Sequence, residues 1–310
     1  MSLDVTGLSS YSDENKMPLI KKSILGGRTL QYITVQPDIK SSATINIIDS
    51  TLTAQAGACG WSADGTTELT QRELSVSPIK VNEAICVDTL ESYYTQKMMN
   101  SGSYNEDVPF AQIFAEEKAE KINALIEDIV WKGDTVSGTG NLALVDGLNK
   151  LSADLVGVIV DGNVDAVSVG TGISGVNVIA IVDGMVDSIP ADIIDADDLH
   201  LFVGYDTYRT YARALREENL FAYNGAEGDD FSMMIPGTNV KMIAVRGLNG
   251  TSRMLLTRAA NIYFGTDLLN DAEDFKIFFS EDNDEVRFRS KWKMGVQFAF
   301  PTLAVDFTLA

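Results

Sequence analysis

The sharpest chemical signal in the chain is Gly170-Thr171-Gly172-Ile173-Ser174-Gly175. Glycines at this spacing let a turn approach a dinucleotide pyrophosphate closely, and Asp195 stands about twenty residues beyond, where an acid would meet a ribose hydroxyl. The surroundings speak against that chemistry. The preceding stretch, Ala166 to Val169, is short and contains Ser168, and the following helix opens on β-branched residues and runs into Pro190. No regular train of strands and helices follows, so the expected structure is a glycine-rich loop, and a nucleotide-dependent enzyme is the alternative from another class. A second cluster, Asp192, Asp195, Asp197 and Asp198, offers oxygens to Ca²⁺ or Mg²⁺ but lacks the EF-hand spacing, and reads as a solvated acidic turn. Glu227, Asp229 and Asp230 read the same way.

Nucleophilic and metal chemistry have little to work with. His200 is the sole histidine, which removes histidine triads and multi-histidine metal sites, and it reads as a strand residue. Cys59 and Cys86 are the only cysteines and form no C-x-x-C pair, so two free, buried thiols in a reducing compartment are expected. No G-x-S-x-G, H-E-x-x-H or Walker loop occurs. The expectation is a non-enzymatic protein without cofactor or metal.

With 310 residues, 45% hydrophobic and 22% charged, the chain can fill one large core or two ordinary ones. The net charge of −20 argues against wrapping nucleic acid, though not against a container whose inner face lies near a polyanion. The start, MSLDVTGLSS, is polar, with no basic residues leading into an apolar run, so no secretion signal is expected.

Residues 107–132 read as the longest helix. Asp107 can cap it, Pro109 suits its first turn, and Ala111, Ala115, Ala119, Ile122, Leu125, Ile126 and Ile129 form one apolar stripe. Such a helix is roughly 38 Å long, about the width of a domain. Residues 1–42 form a polar tail without a core of its own, in which Lys16, Lys21, Lys22, Arg28 and Lys40 slightly outnumber the acids. Residues 43–87 read as a long hairpin, turning at Asp64-Gly65, with too little apolar surface to stand alone in water. Its tip carries Trp61, a large aromatic in a glycine-bearing turn. Residues 88–100 read as a short helix and 133–176 as short strands and turns. A buried helix over 176–189, a strand over 199–204 and an amphipathic helix over 207–218 come next. Strands at 240–245 and 254–256, a short helix within 259–269, and strands at 275–279, 285–300 and 305–309 complete the chain. In the 285–300 strand Val286, Phe288, Ser290, Trp292, Met294, Val296, Phe298 and Phe300 share one face.

This order of parts resembles the HK97-type major capsid fold of tailed bacteriophages. The residues that carry the resemblance are the hairpin 43–87, the helix 107–132, LHLFVGYDTYRTYARALREENLF at 199–221, and RSKWKMGVQFAFPTLAVDF at 289–307. The resemblance implies an α+β fold with an N-terminal arm (1–42), an extended loop (43–87), a peripheral domain with a spine helix (88–140 with 271–310), and an axial domain (141–270). It implies a structural protein of the virion capsid. Such a protein assembles in the host cytoplasm through pentamers and hexamers of itself and encloses double-stranded DNA without reading its sequence. A scaffolding protein, a portal and decoration proteins are the implied partners. Trp61, Asp64, Lys16, Lys21, Lys22 and Arg28 are the candidate inter-subunit contacts. The tip 57–66 has no lysine, so covalent lysine–asparagine cross-linking is not expected. An encapsulin-like protein compartment is the alternative within the same architecture.

Overall fold

The computed structural model describes residues 24, 26–55, 57, 59, 61, 64–86, 110–163, 172–218, 231–267 and 274–308, with the side chains of 110–113 and 274 excepted. The proposed short helix at 88–100, the cap at Asp107 and Pro109 lie outside the described residues.

The strand β12 (Glu285–Phe298) organises the first of two main sheets. Its even-numbered residues from Val286 to Phe298 are buried, while Glu285, Arg287, Arg289, Lys291 and Lys293 alternate onto the opposite face. β4 (Ser77–Cys86) pairs antiparallel with β12 from Met294 to Glu285. β11 (Asp274–Ser280) and β10 (Ile262–Thr266) also pair antiparallel with β12, and β1 (Thr34–Gln36) lies parallel to β10. The helix α1 (Phe110–Lys132) covers the buried face. Its Ala115, Ala119, Ile122, Ile126 and Ile129 share one core with Phe275, Ile277, Phe288 and Trp292, and Lys118 on the helix pairs with Glu83 on β4.

The second sheet has the order β5–β13–β9–β6–β8–β7, made of Val160–Asp161, Val305–Phe307, Met254–Arg258, Leu199–Gly204, Lys241–Val245 and Ser232–Met234. Its central strands are buried on both faces. Leu201, Val203, Met242 and Ala244 face α3 (Val178–Asp187) and α4 (Tyr205–Glu217), while Phe202, Ile243 and Val245 join the core around α1. Trp131, at the end of α1, meets Phe202 with ring centroids 5.5 Å apart and so ties the two sheets together. Among the described residues no helix is long and apolar enough to cross a membrane.

Four sequence expectations change. The stretch read as short strands and turns contains a helix, α2 (Leu148–Asp154), whose Leu148 and Ser152 are buried one turn apart. The helix expected within 259–269 is a single 3₁₀ turn, Ala259–Asn261, followed by β10, because Ile262 and Phe264 alternate into the core. The hairpin is shorter than 43–87. β2 (Ser42–Thr51) pairs only with β3 (Thr66–Ser75), and the chain then passes through Val76 directly into the first sheet as β4.

The tail is not coreless along its whole length. Thr29, Leu30, Ile33 and Ile39 are buried. Glu127 of α1 is 4% exposed and accepts from the Thr29 backbone N–H (3.3 Å) and hydroxyl, and the Trp131 indole N–H donates to the same hydroxyl at 2.8 Å. Burial pushes the Glu127 carboxyl above its ordinary range, against the Thr29 hydrogen bonds that hold it down. Farther along, Lys293 donates to the Lys40 carbonyl and to the buried Asp267 carboxylate.

Candidate assembly surface

Every residue of the β2–β3 ladder from Ile48 to Leu69 that is described is exposed. The base is held by a small core of its own, in which Ile45, Ile47 and Leu74 meet Ile39, Val76 and Ala299. That core sits on two glycines that are register partners, Gly265 of β10 and Gly295 of β12. A Cβ on Gly295 would lie 1.9 Å from the Ser75 carbonyl oxygen, and one on Gly265 would lie 2.9 to 3.1 Å from the Ile39, Val76 and Leu74 side chains. Both glycines are required by this close approach of a crossing strand.

Past the base, burial ends but apolar residues do not. Ile48 and Leu69 stand directly opposite each other and are exposed, as is Leu52. Trp61 is 94% exposed, so within the single chain it does not fold back on its own hairpin. The ladder thus holds Ile48, Leu69, Leu52 and Trp61 in water.

The first sheet's outer face carries a group of basic residues. Arg287, Arg289 and Lys291 alternate along β12, Lys276 of β11 is the register partner of Arg289, and Lys80 of β4 is that of Lys291. Acids share this field: Glu285 lies 3.5 Å from Arg287, and Asp274 of β11 is the register partner of Lys291. This row was present in the sequence as the complement of the apolar alternation.

No family model matches the chain, and no curated protein matches it. Solved structures do. A chain of the satellite phage P4 procapsid, in a structure that includes a size determination protein, matches over 95% of this chain and 90% of its own with a TM-score of 0.64 and 13% identity. A capsid chain of an empty GTA particle matches over 93% and 90%, with a TM-score of 0.57 and 12% identity. The chain has the HK97-type capsid fold. A chain of the virus-like particle from Pyrococcus furiosus shares it, over 94% of this chain and 97% of that one, with a TM-score of 0.51 and 12% identity.

On this capsid fold the residues singled out from the sequence fall in different places. Trp61 and Asp64 lie at the exposed tip of the excursion. Arg28 is partly buried beside the Glu127 carboxylate, which its charge helps to hold down. Lys16, Lys21 and Lys22 lie outside the described residues. Cys59 and Cys86 are free and exposed, which corrects the expectation of buried thiols. Cys59 belongs to the tip and Cys86 ends β4 on the outer face beside Glu285, both beyond the reach of the cores.

The glycine-rich loop is described only from Gly172. Asn177 closes it, its side chain accepting from Ser174 and donating to the Gly172 carbonyl. The adjoining cleft of about 230 Å³ is lined by Gly172, Ile173, Asp206, Thr207, Thr210 and Thr251. There the Asp206 carboxylate accepts from the amides of Thr207 (2.9 Å) and Gly250 (3.0 Å). A carboxylate already occupies the amides that a phosphate would need, and repels one.

Asp198 is taken up by Arg258 at 2.7 Å, and among the described residues no three His, Cys, Asp or Glu side chains gather where a metal ion could sit. His200 donates from Nδ1 to the Asp198 carbonyl at 2.8 Å and stacks on Phe202, and burial lowers its pKa. One carboxyl stands out elsewhere: Asp306 of β13 is pushed up to about 6 by burial, opposed by Arg253 and reinforced by its register partner Asp161.

Proposed function

We infer that the chain is the major capsid protein of a tailed bacteriophage, a structural subunit that closes into an icosahedral shell through pentamers and hexamers. The observation that carries this is the β2–β3 excursion: on a body with the capsid fold, it holds Ile48, Leu69, Leu52 and Trp61 in water, where they gain burial only against another copy. Residues 1–42 act as an arm, and the excursion acts as the extended loop. Residues 88–140 and 271–310 form the peripheral domain and 141–270 the axial domain. Trp61 and Asp64 at the loop tip, with Lys16, Lys21, Lys22 and Arg28 in the arm, make contacts between subunits. The role is architectural rather than enzymatic. A scaffolding protein guides closure, a portal and decoration proteins complete the particle, and the shell encloses double-stranded DNA in a virion assembled in the host cytoplasm.

Electron imaging of the purified full chain, expressed with and without its neighbouring phage genes, tests the reading. Closed shells of uniform size are expected. Isolated monomers under every condition would sink it, and shells filled with a protein cargo instead of DNA would move it to an encapsulin-like compartment.

A further inference from the structure

Residues 27–32 lie where α1 meets the second sheet, and they touch both. The Trp131 indole N–H donates to the Thr29 hydroxyl at 2.8 Å, and that hydroxyl donates in turn to the Glu127 carboxylate. The Thr29 backbone N–H is 3.3 Å from each carboxylate oxygen. Gly27 is buried against the same group, and a Cβ there would lie 2.8 Å from Oε2. From the second sheet, Gly247 presses on the same turn of α1. A Cβ on it would lie 2.3 Å from the Trp131 ring and 2.5 Å from the Glu127 carbonyl oxygen. Farther along the segment, the Tyr32 ring centroid is 5.4 Å from that of His200 on β6, and the Lys241 ammonium of β8 stands 5.5 Å over it.

Glu127 is buried while this segment is in place. A buried negative charge costs more than a few hydrogen bonds return. Here desolvation outweighs the Thr29 hydrogen bonds, Asp128 on the same helix adds repulsion, and Arg28 supplies the smallest share of attraction. Gly27 and Thr29 lie directly on the carboxylate, so lifting their segment brings water to it. At the Tyr32 end the titrating group is His200. Burial and Lys241 disfavour its protonated form while Asp198 favours it, so its charge acts on the acid side alone.

We propose that residues 27–32 are a clasp between α1 and the second sheet, and that ionisation of Glu127 opens it. The device lies within one chain and does not depend on the shell reading. While Glu127 is protonated, it still accepts from Thr29 without a buried charge, and the clasp stays shut. Once it is ionised, opening hydrates the charge. The open state holds the proton less tightly than the closed one. Opening therefore grows as pH rises above the ordinary glutamate value of about 4.3, by up to about tenfold per pH unit, and levels off once the closed state is ionised as well.

Amide hydrogen exchange of the full chain from about pH 5 to pH 8, with the chemical exchange rate divided out at each pH, reads the opening directly. Protection over 28–33 should fall by ~10-fold or more across that range, while the β12 amides at 286–298 keep theirs. Glu127→Gln should hold 28–33 protected at the upper end and remove the fall. Thr29→Val should lower protection of the segment at every pH and leave the fall in place. Equal protection of 28–33 at both ends of the range overturns the clasp. So does a fall that β12 shares in step, which is unfolding of the whole chain. A Glu127→Gln chain that folds and still loosens as pH rises assigns the opening to another group and overturns the role of Glu127. If that variant does not fold, the native profile of 28–33 against β12 decides.

Discussion

Glu127 is a buried carboxylate whose only described hydrogen-bond donors come from Thr29, far away in the chain. Its raised pKa means that the folded state favours the protonated form, so its contribution to stability is greatest at low pH. That contribution is lost as pH climbs from the ordinary carboxylate range through the raised folded value. Asp306, pushed up to about 6, has the same sign, with its loss complete above that value. Glu127→Gln keeps an oxygen to accept from Thr29 and removes the charge. Thermal melts of subunits at pH 5 and pH 8 should show the Glu127→Gln chain gaining on the native one as pH rises, and Asp306→Asn doing the same from pH 4 upward, since both losses run upward from the ordinary carboxylate value of about 4. A constant offset between variant and native chain at both pH values would show that neither charge titrates with folding.

At the scale of elements, the excursion is aimed by a contact between Gly295 and the Ser75 carbonyl. Gly295→Ala cannot be accommodated at 1.9 Å without moving the strand. It should destabilise the subunit by about 1–3 kcal/mol, as overpacking does, and shift the ladder, which hydrogen exchange over 42–51 and 66–75 would read as faster exchange. Unchanged exchange there would mean that the base is held by Ile45, Ile47 and Leu74 alone. Much of this layer was legible in the sequence. The apolar alternation of β12, the stripe on α1 and the two helices over the second sheet each carry their period in the residues themselves. The hairpin's true end was not legible, because β3 and β4 are one β-rich run and only long-range pairing with β2 or β12 divides them. The anchoring of Thr29 was hidden for the same reason: a polar residue in a polar tail gives no local sign that a buried carboxylate awaits it. The basic row could be read from alternation, yet its exposure depends on which half of the sheet the excursion covers.

For the whole molecule, Trp61 is 94% exposed in the single chain, and the proposed shell offers it a place to be buried. If its indole is an anchor on a neighbouring copy, Trp61→Ala should weaken each contact by about 2 kcal/mol. The melting transition of assembled particles should then fall while that of isolated subunits stays put, and equal losses in both would return Trp61 to its own chain. The route by which the excursion joins the body has a mechanical consequence. Val76 alone separates β3 from β4, and β4 is laced to β12 along its full length, from Ser77 opposite Met294 to Cys86 opposite Glu285. A tug on the tip directed along β4 loads that whole ladder in shear, every rung at once, rather than unzipping it from one end. If the excursion docks on a second copy, a load on its tip would therefore part that contact before the excursion tore from its own subunit.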